Sequence, residues 1–203
     1  MATALIASAS ASIGTLLRQS IRLQSRERMF VLYDRTSPLA AHLADAYRVA
    51  RTGAAVADAA PRSIAACDAL VESLAADERE QRQPSTVCVD IDVVPMEVTQ
   101  HLLASALRPN DLCVAIQSGS FQQRFAEYRL RLRLFERQVK MVEHAHLECI
   151  DADQYAAYVD SLGFSPRVQG PIAHRLKARL DAARSVAVTS SGPLPAALAS
   201  LSV

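Results

Sequence analysis

Asp111-Leu-Cys-Val-Ala-Ile-Gln-Ser-Gly-Ser-Phe121 decides the fold class of this chain. Leu112 to Ile116 is a continuous apolar run, too short for a buried helix, and a polar turn with one glycine follows at once. Such a run reads as a strand covered on both faces, the condition of strands in a parallel sheet. Helical spacing begins at Phe121, so the stretch is one strand–turn–helix unit.

The same pattern recurs on either side. Arg28-Met-Phe-Val-Leu-Tyr-Asp34, Thr86-Val-Cys-Val-Asp-Ile-Asp92, Val139-Lys-Met-Val-Glu-His144 and Ser185-Val-Ala-Val-Thr189 are further strand-like runs. Ser37 and Pro38, an N-cap and a proline at the first helical position, predict a helix to about Arg51, where Gly53 ends it. Further helices are predicted over 63–82, over 95–107, as one long element from Phe121 to about Arg137, and over 153–162. A break around Pro166 to Pro171 precedes a last helix over 172–183. The alternation predicts an α/β fold, a Rossmann-like three-layer domain with about five mainly parallel strands and helices on both faces. Residues 1–27 are expected as a helical extension that packs on the domain through Ile13, Leu16, Leu17 and Ile21. Residues 28–192 are expected as a single α/β domain, and 193–203 as an apolar C-terminal tail.

Composition narrows the function classes. The 203 residues carry a net charge of +1, so no global field draws the chain to nucleic acid or to an anionic membrane. No apolar run approaches the roughly 20 residues needed to cross a bilayer. The charge-free start, Met1 to Leu17, precedes Arg18 and Arg22, the reverse of the order in a secretory signal. Cys67, Cys88, Cys113 and Cys149 are isolated in sequence, which predicts reduced thiols and a cytoplasmic location rather than a disulfide framework or a zinc site.

Ligands of parallel sheets bind outside the carboxyl ends of the strands. That rule selects Asp34 and Ser37, then Ser118, Gly119 and Ser120, then His144 and His146 as candidate ligand-binding residues. The Ser118–Ser120 turn suits a carboxylate or phosphate at a helix start, or else Ser120 is only a cap. Its single glycine departs from dinucleotide and P-loop patterns, and no cofactor is expected. His144 and His146 share one face if the strand continues through them, yet a metal needs further ligands that the neighbouring sequence lacks. In the helix from Phe121, residues Phe121, Phe125, Tyr128, Leu132, Phe135 and Val139 share one face, with Leu130 and Leu134 roughly opposite and arginines on the flanks. Arg129, Leu130, Arg133 and Leu134 are therefore candidates for an interface with a second copy or a related subunit. The alternative is that the two leucines cover a helix of the same chain.

Asp111–Phe121, Tyr128-Arg-Leu-Arg-Leu-Arg-Leu-Phe135, Glu143-His-Ala-His-Leu147, Tyr158-Val-Asp-Ser-Leu162 and His174-Arg-Leu-Lys-Ala-Arg-Leu-Asp181 together resemble the N-terminal domain of bacterial proteins similar to leucyl aminopeptidases of the aminopeptidase T type. The resemblance runs from about Arg28 to Ser191. It departs at Ala145, where the family has proline, and in the helix over 63–82, which looks like an addition. The family's metal ligands lie in its C-terminal half, beyond the match, so no metal ligand or catalytic residue carries over. The resemblance implies a non-catalytic peptide-binding or scaffold protein that assists ribosomal-peptide (RiPP) biosynthesis of the crocagin type. Its partners would be a precursor peptide and a tailoring enzyme. The alternative is a small hydrolase or transferase working in the crevice at the strand ends.

Overall fold

Strands form where the apolar runs lie. The computed structural model describes residues 2–51, 56–59, 61–80, 86–125, 128–163 and 166–185. It contains β1 (Met29–Tyr33), β2 (Val56–Ala59), β3 (Thr86–Asp90), β4 (Leu112–Ile116) and β5 (Lys140–His144). These make one all-parallel sheet in the order β2-β3-β1-β4-β5, with Val31 between Cys88 and Val114. β3 and β4 are buried along their whole length, as strands covered on both faces must be. β2 was not expected. Its Val-Ala-Asp-Ala run has a single β-branched residue, and alanine favours helix over strand. The strand expected over Ser185–Thr189 lies outside the described residues after Ser185.

Helices cover both faces. α1 (Ala2–Thr15), which runs into a π-helical turn at Leu16–Ser20, packs with α2 (Pro38–Ala50) and α7 (Tyr155–Ser161) on one face. Ile13 and Leu17 are buried there, so the N-terminal helix packs on the sheet domain as its spacing predicts. α3 (Ile64–Arg79), α4 (Met96–Ala106), α5 (Gly119–Phe125) and α6 (Leu130–Glu136) cover the other face. The chain leaves β1 for β2 with α2 on one face, then returns across the sheet with α3 to α6 on the other. Every crossover therefore keeps one hand. Among the described residues, no helix is long and apolar enough to cross a membrane.

The helix expected as one element from Phe121 to about Arg137 is two. Arg129 takes a left-handed backbone, φ 52°, at the start of α6. The reason is burial. In a continuous helix Phe121 and Leu130 would be nine residues apart, half a turn out of phase. After the break Phe121, Phe125, Leu130 and Leu134 all enter the same core. Burying two leucines is worth roughly 1.5–3 kcal/mol each, more than the 1–2 kcal/mol of one left-handed residue. Arg133 holds the turn, donating to Tyr128 O at 3.0 Å with its guanidinium 4.9 Å over the Tyr128 ring. The residues left outside are Leu132, 47% exposed, and Phe135, 80% exposed. Leu134→Ala is expected to cost about 2–3 kcal/mol in urea unfolding, and Phe135→Ala less than about 0.5 kcal/mol. The reverse order would restore the unbroken helix.

The chain divides into two units, Met1–Phe164 and Ser165–Val203. In the second, α8 (Pro166–Asp181) runs without interruption through the prolines where a break was expected. Pro166 opens its first turn, and Pro171 removes one main-chain hydrogen bond in the second turn. Val168, Ile172, Leu176 and Leu180 are exposed along it.

Candidate functional site

The crevice singled out by the strand-end rule is present beside β1, since α2 leaves β1 on one face while α4 and α5 leave β3 and β4 on the other. The chain's own side chains fill it. The Asp34 carboxylate, fully buried, accepts from the N–H groups of Ser118 (3.1 Å), Phe121 (2.8 Å) and Thr36 (3.3 Å), and from the Ser118 hydroxyl. Burial pushes its pKa up, and the Phe121, Ser118 and Thr36 amides pull it back down. Ser118 Oγ also accepts from Ser37 N–H at 3.1 Å, and Ser37 Oγ caps α2 by accepting from Leu39 N–H at 3.3 Å. A Cβ on Gly119 would stand 3.3 Å from the Thr36 methyl group, so a larger residue would make Thr36 give by a few tenths of an ångström.

Between β1 and β3 the closure continues. Arg35 ion-pairs with Asp90 and its N–H donates to Asp92 at 2.8 Å. Ser120 Oγ donates to Asp92 at 2.9 Å, and Arg124 reaches Ile91 O at 2.7 Å. Asp34, Ser37, Ser118 and Ser120 are thus brought together, but in bonds to one another and to their neighbours.

The two histidines part company. His144, buried at the end of β5, lies between two hydroxyls: Nε2 is 2.8 Å from Tyr47 Oη and Nδ1 is 2.8 Å from Tyr158 Oη. Burial lowers its pKa to about 4 and raises that of Tyr158 to about 12. A neutral imidazole with one donor and one acceptor nitrogen satisfies both tyrosines, which leaves His144 no lone pair for a metal. His146 follows in a left-handed turn, φ 60°, and is exposed, with Nδ1 3.1 Å from Gln122 Nε2. Among the described residues, no group of three or more His, Cys, Asp or Glu side chains is placed to hold a metal ion.

His146 opens instead onto a cleft of about 570 Å³ at the carboxyl ends of β4 and β5. Phe121, Phe125 and Leu130 give it an apolar floor, with Leu132 and Ala145 beside them, and Gln117, Gln122, Arg129, Arg131, Glu143 and His146 supply its polar groups. Glu143 ties the walls together, accepting from Gln117 Nε2 at 2.8 Å and from Arg131 Nε at 2.7 Å. Arg129 stands at the break between α5 and α6 with no partner among the described residues. Leu130 and Leu134, expected at an interface or in the chain's own core, are in the core. Arg133 is occupied with Tyr128. Most of the cleft was not selected from sequence. Gln117 and Glu143 carry the one available signal, as polar residues ending two adjacent strands, but the helix break that opens the space has no glycine or proline to announce it.

Comparison of the chain with protein-family models, with curated proteins and with solved structures returned no match.

Proposed function

We propose that this chain binds a peptide in the cleft between α5, α6 and the end of β5 and holds it without cutting it. The observation that carries this reading is the cleft itself, whose size lies in the range of ligand sites. Its floor takes an apolar side chain. Its amides offer donors and acceptors to a peptide backbone, and Arg129 adds a guanidinium for a carboxylate. The serines of the neighbouring crevice are bound up with Asp34 and Asp92, so they act as structure rather than as nucleophiles.

The resemblance to the aminopeptidase T-type N-terminal domain supplies a source for the peptide: a ribosomal precursor held for a tailoring enzyme, as in crocagin-type pathways. A cytoplasmic setting accords with four free cysteines.

The test is panning of a random dodecapeptide phage library on the full chain, then calorimetry of the enriched sequence. Saturable binding of one peptide per chain is expected, at a Kd of about 1 μM, equivalent to about −8 kcal/mol. Arg129→Glu is expected to weaken it at least tenfold, and mass spectrometry after long incubation is expected to return the peptide whole. No enrichment over bare resin, or cleavage that survives repurification, would overturn the reading.

A further inference from the structure

The sheet ends at β5, and among the described residues no strand lies beyond it. Its bonds to β4 fix which backbone groups are left over. Lys140 N–H donates to Asp111 O at 2.8 Å, and His144 O accepts from Gln117 N–H at 2.7 Å. Lys140, Val142 and His144 therefore turn their peptide groups toward β4. Successive residues of a strand alternate, so Met141 and Glu143 turn their N–H and C=O groups outward. Lys140 to Glu143 are part-exposed, unlike any residue of β3 or β4. Such an edge is a template for another strand.

What borders the edge identifies what fits it. Glu143 sits on β5 and Ala145 just past its end, and both line the cleft, so edge and cleft form one continuous track. Arg131 reaches Glu143 from above, and helix geometry puts Phe135 only about 40° from Arg131 around α6. Arg137, which donates to the carbonyls of Leu103 and Ala104 on α4, lies about 160° from Phe135. The flank bearing Phe135 thus faces away from α4, toward the β5 edge that no described strand covers, and the ring is 80% exposed.

We infer that the cleft's ligand is an extended peptide that adds to β5 as a further strand. It bonds to Met141 and Glu143, lays an apolar side chain on Phe135, places the next one past His144 into the cleft, and sets an acidic group at Arg129. This rests on the peptide-binding reading. A flexible segment can run on past His144. The β5 of a second copy, paired antiparallel, would turn away there at its own Gln138, whose φ is 57°, and leave the cleft empty.

The test is amide hydrogen exchange followed by NMR on the full chain, with and without the dodecapeptide enriched by panning. The Met141 and Glu143 amides are expected to slow at least tenfold on binding, while the Val142 amide, already bonded to β4, changes little. N-methylation of the peptide at alternate residues is expected to cost at least tenfold in affinity in one phase and not in the other. A peptide that binds without protecting Met141 and Glu143 overturns strand addition and leaves peptide binding standing. Failure of the panned peptide to bind removes both. Protection already present in the free protein also overturns the inference: with a dimeric mass by light scattering it assigns the edge to a second copy, and with a monomeric mass to another segment of the same chain.

Discussion

Replacing Asp34 by alanine is expected to lower the unfolding free energy by about 4 kcal/mol, a large share of the 5–15 kcal/mol that holds a typical domain together. The carboxylate is fully buried and accepts four hydrogen bonds, one from the nearby Thr36 amide and three that join the end of β1 to Ser118 and the first turn of α5. Alanine removes the acceptor and leaves the buried amides of Ser118 and Phe121 without one. An unsatisfied buried donor costs roughly 1–3 kcal/mol, so two of them account for about 4 kcal/mol. Asp34→Asn keeps the shape and one acceptor oxygen but points an NH2 group at donors, so an intermediate loss is expected. Urea unfolding followed by circular dichroism reads both. A loss under 1 kcal/mol for Asp34→Ala would mean that the network contributes little, and would return Asp34 to consideration as a group held ready for a ligand.

Four of the five strands were legible: β1, β3 and β4 are apolar runs bounded by polar turns whose burial on both faces leaves them no other role, and β5 is a mixed run of the same length that is mostly part-buried. β2 was not legible, since alanine carries little strand signal. Nor was the left-handed turn at Arg129, which no glycine or proline announces: the core's demand for Leu130 and Leu134 sets it. Site residues divide along the same line. Asp34, Ser37, Ser118 and Ser120 are found by position alone, because strand order places the ends of β1 and β4 side by side. Whether such groups face a ligand or one another depends on side-chain partners, which local sequence does not encode. The Asp34–Ser118 contact spans 84 residues, as does no pattern read within a window.

His144 makes the second large effect a matter of pH. Buried between Tyr47 and Tyr158, it has a pKa lowered by burial from the ordinary 6.5 to about 4. Protonation would make both ring nitrogens donors, and whichever tyrosine hydroxyl donates to the neutral ring would then lose the acceptor for its proton. The unfolded chain takes up this proton as pH falls through 6.5, and the folded chain does so only near 4. Stability from this site is therefore complete above about pH 6.5 and is lost progressively as pH falls to about 4. At roughly 1.4 kcal/mol per pH unit, that interval amounts to about 3 kcal/mol. Other groups titrate in the same range. Burial raises the Glu27 carboxyl, but Lys140 and the Gln24 amide hold it below its usual value overall, while Asp34 is raised by burial. Comparison with His144→Gln cancels both, because they are common to the two proteins. Urea unfolding between pH 4 and 8 is expected to give the wild type its advantage over His144→Gln above pH 6.5, and to shrink that advantage by about 3 kcal/mol at pH 4. A difference between the two proteins that stays constant across the range would show that the imidazole titrates normally in the folded chain, and hence that water reaches it between the two tyrosines.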